Sequence, residues 1–165
     1  MDKKLTGVRF LPVFNDVMRL MEIRKIDNLP SNLGRLLVES QNDGFRFVKR
    51  LMDDFDSGIN RFDKRGEALF ALMEDFNCVG IGGINVDPYA SNEKVGRVRR
   101  VYIMKSHRGH GVGKLLMSTL ESWAEEYFDE LRLFTDTKDA TAFYDSLGYE
   151  RSKDEGVSHF KLFTS

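Results

Sequence analysis

The sequence predicts an α/β domain with a mixed β-sheet, and two observations carry this prediction. Three apolar runs follow one another at short intervals, over residues 68–73, 78–86 and 95–104, which is typical of an antiparallel meander of strands. After a glycine cluster, apolar residues recur at helical spacing from Val112 to about residue 128, which predicts a long amphipathic helix. Strands that alternate with helices in this way indicate an α/β architecture.

Before the meander, we expect one strand and two helices. Residues 5–11 alternate loosely between apolar and polar side chains, which predicts a strand. Residues 14–26 have apolar side chains at helical spacing, which predicts a helix. A second amphipathic helix is expected from Asp43 to the stop at Gly58.

After the long helix, the sequence predicts a strand, a helix and a hairpin. The strand covers residues 131–134, and the helix covers residues 138–147 and ends at Gly148, where a left-handed residue closes a helix. Residues 149–151 and 157–163 form the expected hairpin. The predicted order is therefore β-α-α-β-β-β-α-β-α-β-β.

Composition favours a single cytoplasmic domain. The chain has 165 residues, 25 Lys and Arg against 26 Asp and Glu, three prolines and one cysteine, Cys78. We expect one domain over residues 1–165, because no linker-like segment interrupts the sequence. No apolar run reaches the ~18–20 residues that a membrane span needs, and no secretory signal is recognisable. The near-neutral net charge of -1 argues against a dedicated nucleic-acid binder.

One segment departs from this neutral balance. Between Arg97 and Lys114 the chain carries six Lys and Arg residues and no acidic residue. Within it, residues 108–113 read Arg-Gly-His-Gly-Val-Gly and stand between a predicted strand and the start of the long helix. Glycines let a ligand approach the backbone, and a helix N-terminus presents unpaired N–H groups, so this junction suits a phosphate or pyrophosphate.

Two common nucleotide motifs do not fit the spacing. A dinucleotide-binding fingerprint needs glycine three residues after Gly111, where Lys114 stands. A P-loop needs glycine at the position of Arg108 and Ser or Thr at the position of Leu115. The sequence therefore excludes both dinucleotide-fingerprint and Walker-type binding.

The spacing that does fit is Arg/Gln-x-x-Gly-x-Gly/Ala after a strand, and here the sequence resembles the GNAT superfamily of acetyl-CoA-dependent N-acetyltransferases. Residues 140–149, Ala-Thr-Ala-Phe-Tyr-Asp-Ser-Leu-Gly-Tyr, are similar to the second signature of that family. The resemblance covers about half of the chain, from Val79 to Phe163. It implies a central mixed, mostly antiparallel sheet with helices on both faces, and acetyl transfer from acetyl-CoA to a primary amine.

The resemblance also implies roles for individual residues. The strand backbone at Val101, Tyr102 and Ile103 would hold the acetyl carbonyl and the pantetheine arm. Tyr144 would be the general acid that protonates the departing thiolate. The loop that would bind the CoA pyrophosphate comprises Arg108, Gly109, His110, Gly111, Val112, Gly113 and Lys114.

The sequence departs from the family pattern at two positions. Thr137 stands where the family often has Asn for a pantetheine contact, although its hydroxyl can still form hydrogen bonds. No carboxylate lies on the strand before the loop, where some members have a catalytic Glu. Glu67, Glu74 or Asp75 on or beside the neighbouring strand could relay a proton through water, and the sequence does not choose among them.

Three arginines on that same strand need an explanation of their own. Solvated strand residues are the default interpretation for Arg97, Arg99 and Arg100. Alternation along a strand predicts that Arg97 and Arg99 share a face and that Arg100 points away. If that pair faces the acceptor, it would favour an acidic acceptor.

The remaining polar and small residues carry no site prediction. The three histidines lack the spacing of metal ligands, so we expect no metal. Cys78 is interpreted as a small core residue. Gly80, Gly82 and Gly83 indicate a bulge or close packing on one strand.

Two other function classes stay open. A non-catalytic acyl-CoA-binding sensor of the same fold would explain Thr137 and the missing strand carboxylate. A nucleic-acid-binding module using the basic segment is the third alternative, although no pattern of stacking aromatics supports it. The acceptor amine, a small molecule or a peptide, cannot be identified from sequence, and the resemblance is compatible with a homodimer.

Overall fold

A computed structural model of the chain describes residues 7–12 and 18–164, with side chains from residue 21 onward. Eight strands form one sheet in the order β1-β2-β3-β4-β5-β6-β8-β7. The β5–β6 pair is parallel and every other neighbouring pair is antiparallel. The strands are β1 (Gly7–Pro12), β2 (Met18–Ile26), β3 (Ala68–Glu74), β4 (Asn77–Val86), β5 (Val95–Ile103), β6 (Glu130–Leu133), β7 (Glu150–Arg151) and β8 (His159–Leu162).

Helices cover both faces of this sheet, so the predicted fold class is confirmed. One core lies under α3 and α4 and includes Leu116 and Tyr144, and the other lies under α1 and α2 and includes Leu36 and Leu51. No helix in the described ranges is long and apolar enough to span a bilayer. The α-helices are α1 (Gly34–Asn42), α2 (Phe47–Ser57), α3 (Val112–Ala124) and α4 (Lys138–Ser146), and a 3₁₀ turn covers Lys105–His107.

From β3 onward, the predicted elements are confirmed. The three apolar runs form the antiparallel meander β3-β4-β5. Gly148 has φ 87°, as a left-handed residue after α4 requires. The long helix is shorter than expected, because α3 ends at Ala124 and a turn leads to Phe128.

The N-terminal prediction of a helix over residues 14–26 is wrong. Residues 18–26 form β2, which pairs with β1 on one edge and β3 on the other, and residues 13–17 lie outside the described residues. Met21 and Ile23 are buried while Arg24 is exposed, so this segment follows the two-residue period of a strand. Strand β2 is paired with another strand along each of its edges. The spacing of apolar residues in the sequence does not reveal this pairing.

Helix α1 was not predicted from sequence, although the pattern for it is present. Leu33, Leu36 and Ser40 are buried at spacings of three and four residues. Helix α2 agrees with the expected second helix, and Gly58 ends it with φ 81°.

The glycines of β4 allow both a bulge and close packing, as the sequence predicts. The register between β4 and β5 shifts between Ile81 and Gly83. A Cβ added at Gly83 would overlap the Phe62 ring, so the ring packs directly against this glycine. Phe62 itself has φ 53°, an uncommon conformation for a bulky residue. Its packing against Gly83 therefore depends both on this backbone conformation and on the missing side chain of the glycine.

We therefore expect Gly83→Ala to lower the free energy of unfolding by about 1–3 kcal/mol, because the added methyl group overpacks the Phe62 contact. Gly34→Ala is the matched control, since nothing lies within 4 Å of a Cβ there. Urea unfolding of both variants measures the difference. Equal midpoints for the two variants would contradict this packing.

Candidate active site

Strand β5 extends well beyond the end of its neighbour β6. The two strands pair only at Val95, Gly96 and Arg97, whereas β5 continues to Ile103. Within the described residues, the stretch from Val98 to Ile103 has no strand partner on this edge. Backbone N–H and C=O groups on this open edge are therefore available to a ligand.

A β-bulge lies in the middle of that open stretch. Ile81 is opposite Tyr102 and Gly83 is opposite Arg99, so Gly82 alone faces two residues of β5. Arg100, one of those two, has φ 60°. A bulge of this kind disrupts the ladder locally and redirects side chains.

The bulge overturns the expectation that Arg100 points away from Arg99. Arg99 lies opposite Gly83, whose Cβ direction faces Phe62 and the core under α1 and α2. The Arg100 Nη2 atom lies 3.8 Å from the Asp54 Oδ2 atom of α2. Both arginines therefore face α2, which simple alternation along the strand cannot predict.

The glycine-rich loop leads directly into α3. Gly111 is the N-cap of α3 with φ 78°, and no side chain caps this end of the helix. None of the backbone N–H groups listed here forms a hydrogen bond within the described ranges: Gly109, Gly111, Val112, Gly113 and Lys114. Together with the positive end of the helix dipole, these donors suit a phosphate or pyrophosphate.

Gly113 joins the loop to β5 and α4. A Cβ at this position would lie 3.1 Å from the Phe143 ring of α4 and 3.3 Å from the Ile103 side chain of β5. Three elements therefore meet at a position with no side chain of its own. This contact places the start of α3 against the end of the open β5 edge and the middle of α4.

The loop side chains fold back onto β5. The Arg108 Nε–H donates to the Ile103 carbonyl at 2.8 Å, and the guanidinium lies 5.1 Å from the centre of the Tyr102 ring. The His110 Nδ1 atom lies 2.7 Å from the Arg108 carbonyl oxygen. Lys114 is exposed on the first turn of α3.

Two carboxylates that the sequence analysis missed lie on α1, at Glu39, and directly after it, at Asp43. Glu39 Oε2 accepts the Tyr102 hydroxyl at 2.7 Å and the Lys105 N–H at 3.1 Å. Asp43 pairs with Lys105 Nζ at 2.5 Å. Burial and the Glu39 carboxylate raise the pKa of Tyr102. The spacing of Leu33, Leu36 and Ser40 was the signal that could have identified this helix.

Tyr144 lies on α4 within an aromatic cluster. Its ring centre lies 5.1 Å from that of Phe143, 5.6 Å from Tyr149 and 6.0 Å from His159. The side chain is buried, and its hydroxyl forms no hydrogen bond within the part of the chain that the structure describes. Burial raises the pKa of Tyr144, so the phenol keeps its proton at neutral pH.

Thr137 has a structural role at the start of α4. Its Oγ1 accepts the Ala140 N–H at 3.3 Å, so it is the N-cap of the helix. The predicted pantetheine contact of Thr137 stays a prediction beside this role.

Arg97 is buried, and the expectation of a solvated side chain is wrong for it. Its Nη1 lies 3.4 Å from the Asp87 Oδ2 atom, and its Nη2–H donates to the Gly156 carbonyl at 2.5 Å. Its guanidinium also lies 5.1 Å from the Tyr89 ring. These contacts hold Arg97 within the fold rather than toward an acceptor.

The acids named as proton relays are in different environments. Glu67 is buried and accepts hydrogen bonds from Asn85 Nδ2 and from the N–H groups of Val86 and Lys64. Glu74 is buried and lies 2.5 Å from His107 Nε2.

Asp75 is exposed in the β3–β4 turn with φ 53°. None of the three acids lies on the open stretch of β5. Among the described residues, no group of three or more His, Cys, Asp and Glu side chains could hold a metal ion.

Comparison with known proteins adds an independent observation. A sequence model of the acetyltransferase (GNAT) family matches residues 35–149. A candidate acetyltransferase from Exiguobacterium sp. 255-15 superposes with a TM-score of 0.77 at 27% identity, over 86% of this chain and 93% of that chain. An acetyltransferase from Streptococcus agalactiae 2603 gives a TM-score of 0.70 at 19% identity, over 87% of this chain and 98% of that chain.

The GNAT domain of S. lividans PAT covers 99% of both chains, with a TM-score of 0.69 at 14% identity. At these lower identities, the second and third structures support the fold alone.

The buried Arg97–Asp87 pair gives a stability prediction. We expect Arg97→Gln to lower the free energy of unfolding by roughly 3 kcal/mol, because the fully buried Asp87 carboxylate loses its countercharge. Arg24→Gln removes an exposed arginine of β2 that pairs with Glu22, and it should leave the unfolding midpoint nearly unchanged. Chemical denaturation measures both variants. If Arg97→Gln and Arg24→Gln lose similar free energies of unfolding, the stabilising role of the Arg97–Asp87 pair is contradicted.

Proposed function

Because this chain belongs to the acetyltransferase (GNAT) family, we propose that it transfers the acetyl group of acetyl-CoA to a primary amine by direct attack, within one domain over residues 1–165. The observation that carries the proposal is the open edge of β5 beside the uncapped start of α3. An extended ligand with an acyl end and a phosphate end matches these two neighbouring features.

The cofactor would lie along β5 and end at the glycine loop. The backbone of Val101, Tyr102 and Ile103 is on the open edge and would hold the acetyl carbonyl and the pantetheine arm. The N–H groups of residues 109–114 would bind the pyrophosphate, with the side chains of Arg108 and Lys114 adding positive charge. Thr137 would contact the pantetheine arm from the start of α4.

The chain would then support two steps of acyl transfer. A neutral amine attacks the thioester carbon, and N–H groups beside the bulge stabilise the negative charge that develops on the carbonyl oxygen. When the carbon–sulfur bond breaks, Tyr144 donates its proton to the thiolate, and the amide nitrogen releases its extra proton to water. The raised pKa of Tyr144 supports this role, because the phenol is protonated before the step begins.

A second candidate is a sensor that binds acyl-CoA without turnover. The contacts of Glu67 favour it, because three hydrogen bonds already occupy that buried carboxylate. Steady release of CoA thiol in the presence of an amine would exclude the sensor.

Binding is the first test of the cofactor site. We expect saturable calorimetric binding of acetyl-CoA, weaker binding of CoA without its 3′-phosphate, and no comparable binding of ATP. Gly113→Val should abolish most of the binding, because a branched side chain would meet Phe143 and Ile103. Gly34→Ala, on α1, is a matched control that should bind normally. Undiminished binding by Gly113→Val would contradict the proposed site.

Tyr144→Phe tests the general acid. The variant keeps the ring contacts with Phe143 and Tyr149 and loses only the hydroxyl. We expect kcat to fall about 100-fold, in the range of general acid catalysis, while the Kd of acetyl-CoA stays within about twofold. Tyr127→Phe, on the turn after α3, is the control. A normal kcat in Tyr144→Phe would assign the proton to another donor.

A further inference from the structure

Three arginines from two elements converge beside the open stretch of β5. Arg99 and Arg100 lie on β5 and face α2, as the bulge geometry shows. Arg50 lies on α2 one helical turn before Asp54, so it shares the face of α2 that carries the Arg100 partner. We refer to Arg50, Arg99 and Arg100 as the arginine cluster.

The described acidic side chains do not balance the positive charge of this cluster. Asp54 is the single acid paired with it among the described residues, at 3.8 Å from Arg100. Arg99 and Arg50 form no ion pair with the described part of the chain. Arg100 has a side chain that is 9% exposed, and burial with the nearby Arg99 and Arg50 lowers its pKa to about 10. Arg100 is still cationic at neutral pH, with the Tyr89 phenol also nearby.

The proposed cofactor does not explain the excess positive charge of the arginine cluster. Arg99 precedes Ile103 by four residues, or roughly 13 Å of strand, so it lies at the opposite end of the open stretch from the glycine loop. The cluster also faces α2, whereas the start of α3 packs on the other face of the sheet. The arginine cluster therefore lies beside the end of the open stretch where the acetyl group would bind, on the face of the sheet opposite α3.

We propose that the amine acceptor carries an anionic group, a carboxylate or a phosphate, and that Arg99 and Arg50 bind it. This inference rests on the proposed acetyl transfer and specifies its substrate class. Buried Arg100 adds positive potential at the same point, and Asp54 holds its guanidinium. Arg97 takes no part, because Asp87 and Gly156 already engage it.

Matched amines test the inference through release of CoA thiol. We compare γ-aminobutyrate with butylamine and 2-aminoethyl phosphate with ethanolamine, and we include putrescine as a dicationic acceptor. For wild-type protein, at least one anionic amine should exceed its neutral partner at least about tenfold in kcat/KM, the effect of one charge-assisted contact. The two pairs distinguish a carboxylate-binding from a phosphate-binding site.

Variants assign the preference to the cluster. Arg99→Gln should raise the KM of the preferred anionic amine about tenfold, and should change the KM of its neutral partner far less. Arg24→Gln removes one positive charge from the distant strand β2 and should keep the preference. The inference would be overturned if neither anionic amine exceeds its neutral partner in wild-type protein, if putrescine is the fastest acceptor, or if Arg99→Gln loses activity equally with both amines of the preferred pair.

A second measurement covers the case in which none of these small amines reacts. With CoA saturating, sodium sulfate at matched ionic strength should raise the Tm of wild-type protein and of Arg24→Gln, and should raise that of Arg99→Gln much less. Equal shifts in all three proteins would overturn the anion site. Absence of acetyl-CoA binding is a separate result, since it would overturn the proposed function itself.

Discussion

Strand β5 keeps its pairing with β4 along both halves but extends beyond its pairing with β6 after Arg97, and the rest of the candidate site depends on this open edge. The bulge opposite Gly82 inserts an extra residue into β5 at the point where its other edge is open. Local twist increases at a bulge, and the ladder with β4 resumes beyond it. The open edge then exposes backbone groups without a strand partner, and α3 begins where that edge ends. Gly113 permits this close junction, because a Cβ there would already lie 3.1 Å from the Phe143 ring and 3.3 Å from the Ile103 side chain.

The two faces of the sheet contribute different chemistry to that edge. On one face, α3 and α4 supply uncapped N–H groups and a protonated phenol at Tyr144. On the other face, α1 and α2 supply charged side chains that contact β5 directly. Glu39 binds the hydroxyl of Tyr102 and the backbone of Lys105, so α1 is tied to the strand that carries the open edge. Arg100 reaches Asp54 from the bulge, so α2 is tied to the same strand. Substitutions in α1 or α2 that remove these contacts should therefore alter the conformation of β5.

The meander, α3, α4 and the C-terminal hairpin could be predicted from sequence, because apolar periodicity and the stop at Gly148 report local conformation. The glycine-rich segment was also recognisable, since its spacing excludes two other nucleotide motifs. Strand β2 was not recognisable from sequence, because its apolar spacing fits either a helix or a strand. Only the structure shows that both of its edges are paired. The arginines show the same limit. Alternation along β5 cannot reveal a bulge. Only the tertiary structure distinguishes Arg97, which pairs with Asp87, from Arg99, which faces α2 and forms no ion pair with any described residue.

The most direct test of the account is amide hydrogen exchange of the protein with and without acetyl-CoA, resolved by peptide. Among the described residues, the open edge of β5 has no strand partner and the N–H groups of Gly109, Gly111 and Gly113 form no hydrogen bond, so bound acetyl-CoA should slow exchange in residues 98–104 and 109–114 together. Exchange in β3, whose edges are both paired, should change little. Protection that appears elsewhere, for example only around Trp123 and the end of α2, would contradict the assignment of β5 and the loop as one site.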